Sequence, residues 1–84
     1  MKKIFTVYNS KSESYMNPFF MHATGEAIRG FVDVANDTNS QIGKYPSDFT
    51  LFELGEYNEF TCEFNIYSTP KSLGLALDFV TSKH

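Results

Sequence analysis

Tyr45-Pro46-Ser47-Asp48-Phe49-Thr50-Leu51-Phe52-Glu53-Leu54-Gly55-Glu56-Tyr57-Asn58-Glu59-Phe60 reads as a turn, a strand, a hairpin loop and the start of a second strand. In the first strand, residues 49–56, Phe49 and Leu51 point one way while Phe52 and Leu54 point the other, so either a bulge interrupts it or both faces are covered. The second strand, residues 60–67, alternates Phe60, Cys62, Phe64 and Ile66 with Thr61, Glu63, Asn65 and Tyr67. That period of two predicts one buried and one wet face. Nothing in the stretch is a catalytic motif.

Upstream, residues 4–8 are β-branched and aromatic and end in the polar run Asn9-Ser10-Lys11-Ser12-Glu13-Ser14, the pattern of a strand and a loop. Pro18 breaks the apolar run that follows, which favours an edge strand with residues 19–22 as its paired part. Thr24 stands as an N-cap before Gly25 and Glu26, and Ile28, Phe31, Val32 and Ala35 follow the spacing of one helix face. Asn36-Asp37-Thr38-Asn39-Ser40 ends that helix.

Downstream, Ser68-Thr69-Pro70 has the form of a hydroxyl cap with proline at the first helical position, and predicts a helix through Leu73, Ala76, Leu77 and Val80. Leu75 and Phe79 would give this helix a second apolar strip, and a strip of that kind on so small a protein points to a homodimer interface at Leu75 and Phe79. The expected fold is therefore α+β: a small, mostly antiparallel sheet with two helices packed on one face, in the order β-(β)-α-β-β-α.

Eighty-four residues make a single domain, residues 1–84, with a thin margin of stability. Nine Phe and five Tyr supply the core. The single cysteine rules out an internal disulfide, and two distant histidines give no metal-ligand spacing, so no metal and no cofactor are expected. Cys62, on the apolar face of its strand, reads as a buried small hydrophobe. His22 has no nucleophile or acid at a supporting spacing, the five glycines are too scattered to cradle phosphate, and the acids Asp48, Glu53, Glu56, Glu59 and Glu63 read as a solvated rim. An enzyme is not expected. Met1-Lys2-Lys3-Ile4-Phe5-Thr6 turns polar too soon for a signal peptide and no run is long enough to span a membrane, so the expected compartment is the cytoplasm.

The net charge is −3, unevenly spread. Residues 1–45 carry Lys2, Lys3, Lys11, Arg29 and Lys44 against Glu13, Glu26, Asp33 and Asp37, whereas residues 46–84 carry Lys71 and Lys83 against six acids. Contact with a polyanion therefore belongs to the N-terminal half. There, cations interleave with aromatics: Lys2, Lys3, Tyr8, Lys11, Tyr15, Phe19, Phe20, Arg29, Lys44 and Tyr45. These are the residue types that hold single-stranded nucleic acid, by stacking in a cationic groove, and all but Phe19 are the candidate DNA contacts.

Ile4-Phe5-Thr6-Val7-Tyr8-Asn9-Ser10-Lys11, then Asn17-Pro18-Phe19-Phe20, then Gly25-Glu26-Ala27-Ile28-Arg29-Gly30-Phe31, and above all the run from Tyr45 through Tyr57, resemble in order and spacing the small nonstructural protein of gokushovirus-type Microviridae, the tailless phages with circular single-stranded DNA. The resemblance covers nearly the whole chain. It implies a non-virion accessory protein of single-stranded DNA genome replication in the cytoplasm of the bacterial host, and the expected partner is single-stranded DNA, bound as a homodimer. The alternative is a protein-interaction module that bridges the phage replication initiator and host factors without touching DNA. Convergence of Lys2, Lys3, Lys11, Arg29 and Lys44 on one surface favours the first, and their scatter favours the second.

Overall fold

The computed structural model describes residues 1–81, so Lys83 and His84 lie outside the described residues. Its elements are β1 (Lys2–Asn9), β2 (Ser14–Tyr15), β3 (Phe19–Met21), α1 (Thr24–Ala35), α2 (Gln41–Lys44), a 3-10 turn (Pro46–Asp48), β4 (Phe49–Asn58), β5 (Glu63–Leu75) and α3 (Ala76–Phe79). They form an α+β fold with a five-stranded antiparallel sheet, in which β2 and β3 share one side of β1 and the order across is β2-β1-β4-β5.

β1 lies inside the sheet, and its four consecutive residues from Ile4 to Val7 are buried, Phe5 and Val7 under the helices and Ile4 and Thr6 beside Phe20 of β3 and the Met16 carbonyl. On the helix side Phe5 and Val7 of β1 meet Phe49 and Leu51 of β4, and Ala27, Phe31 and Ala35 of α1, Ile42 of α2 and Ala76 of α3 close over them. Phe5 and Leu51 are wholly inaccessible, each such side chain contributing about 1.5–3 kcal/mol relative to exposure.

The start of α1 differs from expectation in its cap. Ala23 holds the capping position, and Glu26 Oε1 accepts from the backbone amides of His22 and Ala23 at 3.0 and 3.3 Å. Thr24 lies inside the helix, and its hydroxyl donates to Glu53 instead. At the other end Asn36 Nδ2 donates to the carbonyls of Val32 and Phe79, which fastens α3 to α1.

Two further expectations are corrected. The segment after Ser68 is not a helix: β5 runs extended to Leu75, and only Ala76–Phe79 is helical. Proline restrains the residue before it to extended backbone, and Gly74 sits at φ +146°, outside any helix. Pairing of Lys71, Ser72, Gly74 and Leu75 with β4 satisfies backbone groups that a local helix signal cannot outweigh. The two apolar strips that motivated a dimer through this segment therefore do not exist. Leu75 is a half-buried strand residue, and the Phe79 ring packs edge-on to Phe31 at 6.0 Å and against Gly74.

The second correction concerns the expected buried face of the hairpin. Phe60, Phe64 and Ile66 are exposed, and so is Cys62, which takes φ +64° in the turn. Phe60 lies in the turn, and Phe64 and Ile66 point to the face of the sheet opposite the helices, where no described helix packs over them. For β4, strict alternation holds from Phe49 to Gly55, with Thr50, Phe52 and Leu54 half-buried on the other face and register shifts against both neighbouring strands. The bulge read from the sequence is thus realised, whereas the helices cover one face of β4 only. At the second of its shifts against β4, residues 67–70 of β5 bulge opposite Leu54 alone.

Candidate nucleic-acid interface

Registered partners in a sheet share a face, and residues two apart along a strand do too. The bulge at Leu54, which has no partner in β1, switches the alternation of β4, so the pairs Tyr8 with Tyr15, Thr6 with Phe52, Ile4 with Phe20, Lys2 with Tyr57 and Tyr57 with Phe64 lie together on the face opposite the helices. Ring contacts bear this out. Tyr15 lies 4.7 Å from Tyr8 and 6.0 Å from Phe52; Tyr57 lies 5.7 Å from Phe20 and 4.7 Å from Phe64. Two clusters of three rings result, with Tyr15, Phe20 and Phe64 exposed by 54%, 44% and 58%. Ile66, two residues from Phe64, extends the surface.

Between the clusters lies an open slot of about 260 Å³, lined by Thr6, Tyr15, Met16, Pro18, Leu54 and Pro70. Pro18 holds the chain extended between β2 and β3, and the bulge of β5 brings Pro70 to the slot. Thr6 Oγ1 donates to the Met16 carbonyl at 2.7 Å, which spends its proton and fixes that wall.

Of the nine candidate contacts, the structure brings four onto this face: Lys2, Tyr8, Tyr15 and Phe20. Lys11, in the turn after β1, meets Tyr45 in a separate recess with Asn9, Gln41, Asp48 and Phe49 at the end of the sheet. Lys44 precedes Tyr45 at the end of α2. Arg29 lies on α1 beside Glu26 and Asp33. Lys3 alternates with Lys2 and so turns to the helix side, where Nζ is 3.1 Å from Glu56 and 3.7 Å from Glu53. The Glu56 hydrogen bond raises the Lys3 pKa above its ordinary value, outweighing burial. The five N-terminal cations thus scatter. Phe52, Tyr57, Phe64 and the slot residues other than Tyr15 were not among the candidates; the unresolved two-faced pattern of residues 49–54 was the signal that could have found Phe52 and Leu54.

A second polar assembly sits on the helix side. Glu53, 3% exposed, accepts from Tyr67 Oη at 2.6 Å and from Thr24 Oγ1 at 2.8 Å. Burial pushes its carboxyl up, but the Tyr67 and Thr24 hydrogen bonds with the charges of Lys3 and Lys71 outweigh it and hold the pKa below the ordinary carboxylate value. The Tyr67 hydroxyl is pushed up by that bond and by burial. The assembly ties α1, β1, β4 and β5 together. His22 is exposed, and the Cys62 thiol has the Tyr57 hydroxyl at 3.8 Å. Among the described residues no group of three His, Cys, Asp or Glu side chains is placed to hold a metal ion, and no helix is long and apolar enough to cross a membrane.

A sheet covered by helices on one face and carrying rings on the other defines an α+β protein with an open aromatic face. Residues 2–79 match the model of the family described as Phage ORF5 protein, and the chain belongs to that family. No curated protein and no solved structure matches the chain.

Proposed function

We propose that this phage protein is an accessory of single-stranded DNA genome replication, as in the gokushovirus-type phages it resembles, and that it holds single-stranded DNA on the helix-free face of its sheet. The observation that carries the reading is the pair of ring clusters on that face. Sheets with exposed aromatics bind unpaired bases by stacking, each base contributing about 1–3 kcal/mol. Two or three stacked bases give useful affinity with few phosphate contacts, which suits a chain of net charge −3. Lys2, in register with Tyr57, stands on the ring face, and Lys11, in the turn between the strands of Tyr8 and Tyr15, lies past the other end of the rings in its recess with Tyr45.

The scatter of Lys3, Arg29 and Lys44 favours a second reading. On it the same face is a docking surface for a replication protein, since interface cores are rich in aromatics and methionine and poor in charge. Fluorescence anisotropy with single- and double-stranded oligonucleotides at two salt concentrations separates the two. Stacking with two phosphates neutralised gives a preference for single strands and a slope of log affinity against log salt of about −1.4. Equal binding to duplex overturns the stacking reading, and no binding to either at low salt leaves the docking surface.

A further inference from the structure

We propose that the outer edge of β5 over residues 63–67 is a self-association site, on which a second copy of this chain lays the same segment antiparallel about a two-fold axis at Asn65. The strand order puts β5 at one side of the sheet, and among the described residues no strand pairs with its outer side. Every second residue of such a strand turns its N–H and C=O outward, and another extended strand satisfies them in series. Folded proteins guard their sheet edges with short strands, proline, bulges or lysine. β2 and β3, at the other side, have two and three residues with Pro18 between them. The second half of β5 carries a bulge, Pro70 and Lys71. The first half has none of these: residues 63–66 pair with residues 55–58 without a shift, and Phe64 and Ile66 stand exposed beside the open edge.

A second copy fits because the segment is complementary to itself. The axis at Asn65 sets Phe64 of each copy opposite Ile66 of the other, an aromatic against a β-branched residue, and Glu63 opposite Tyr67, with no like charges opposed. Ile66 pairs with Gly55 and Lys71 with Glu53, so the bulge leaves Lys71 only two β4 positions beyond Ile66, on the face that carries Glu63. Each Glu63 therefore runs toward Lys71 of the other copy, while the two turns that carry Glu59 point in opposite directions. Shifting the axis to Ile66 sets Phe64 opposite Ser68, and shifting it to Tyr67 draws Pro70 into the ladder, where it has no N–H to give. The guarded side of each sheet takes no further copy, so the assembly closes at two. The dimer stands whether or not the ring face holds DNA, and it leaves Leu75 and Phe79 outside the pairing.

About five residue pairs make a ladder of ordinary strand length and a small interface, so association in the micromolar range is expected. Sedimentation equilibrium of the full chain from about 5 to 200 micromolar should show monomer passing to dimer. Ile66→Lys puts an ammonium group at an exposed position opposite Phe64 of the other copy, and should stay monomeric throughout while circular dichroism remains native. In a Cys62→Gly background, Asn65→Cys meets itself across the axis at the Cα separation of directly opposed residues, about 4.5–5.5 Å, which a disulfide spans. With oxidised glutathione it should cross-link far faster than Thr61→Cys, which is exposed in the turn away from the axis. No DNA is present in these measurements, so oligonucleotide binding succeeds or fails separately. A monomer at the highest concentration overturns the site. A dimer that survives Ile66→Lys puts the contact elsewhere and overturns it too, and equal cross-linking of Asn65→Cys and Thr61→Cys overturns the antiparallel pairing about Asn65.

Discussion

Replacing Tyr67 by Phe removes a single oxygen from the assembly that joins α1 to the sheet. Tyr67 Oη donates to Glu53 Oε2 at 2.6 Å, and Glu53 is nearly inaccessible to water that could take its place. A hydrogen bond to a charged group is worth about 1.5–3 kcal/mol. Thr24 still donates to the other oxygen and Lys3 still stands 3.7 Å away, so a loss of about 2 kcal/mol is expected, equivalent to a fall in Tm of about 8–16 °C for a domain of this size. Urea unfolding followed by circular dichroism measures it, with the m-value unchanged. The pH dependence is a sharper signature. The folded pKa of Glu53 is depressed, so its stabilisation is complete above the unfolded carboxylate value and is lost as pH falls through the folded one. The folded pKa of Tyr67 is raised, so its contribution is complete below the unfolded tyrosine value and is lost as pH rises through the folded one. The gap between the native protein and Tyr67→Phe should therefore be widest near neutrality and shrink toward both extremes. A gap under about 0.5 kcal/mol at neutral pH, the range of an ordinary surface substitution, or one that is flat with pH, would refute the reasoning.

Glycines in different settings should respond with opposite signs. Gly30 lies inside α1 with nothing within 4 Å of an added Cβ, so Gly30→Ala should gain about 0.5–1 kcal/mol in urea unfolding. Gly74 holds φ +146° with the Phe79 ring 2.6 Å from where a Cβ would stand, so Gly74→Ala should lose about 1–3 kcal/mol. Cys62, exposed at φ +64°, should react fully with a thiol reagent in the native protein, and Cys62→Gly should be more stable by about 1 kcal/mol. Phe79→Glu should lower Tm independently of protein concentration, because it strips a ring from Phe31 rather than from another copy.

The parts of the fold legible in the sequence were those where local preference and burial agree. β1, α1 and the β4–β5 hairpin are of this kind, with Phe31 and Ala35 buried at helical spacing and β1 apolar on both faces. The C-terminal segment misled because Ser68-Thr69-Pro70 is a good helix start and an equally good bulge, and pairing with β4, a non-local interaction, decided for the strand. Phe60, Phe64 and Ile66 misled differently. Alternation shows that one face of a strand is apolar, but not whether a layer exists to cover it, and the helices pack on the opposite face of the sheet. The candidate site was half legible for the same reason: composition pointed to Tyr8, Tyr15 and Phe20, whereas their joining to Phe52, Tyr57 and Phe64 depends on strand order and register.

The central claim is that the helix-free face holds single strands, and the most direct measurement is a heteronuclear NMR titration of the labelled protein with a short thymidine oligomer. The account predicts shifts concentrated at Tyr8, Tyr15, Phe20, Phe52, Tyr57 and Phe64, together with Lys2, and little change along α1. Shifts centred on Arg29 and its neighbours in α1, or none anywhere at saturating oligomer, would contradict it.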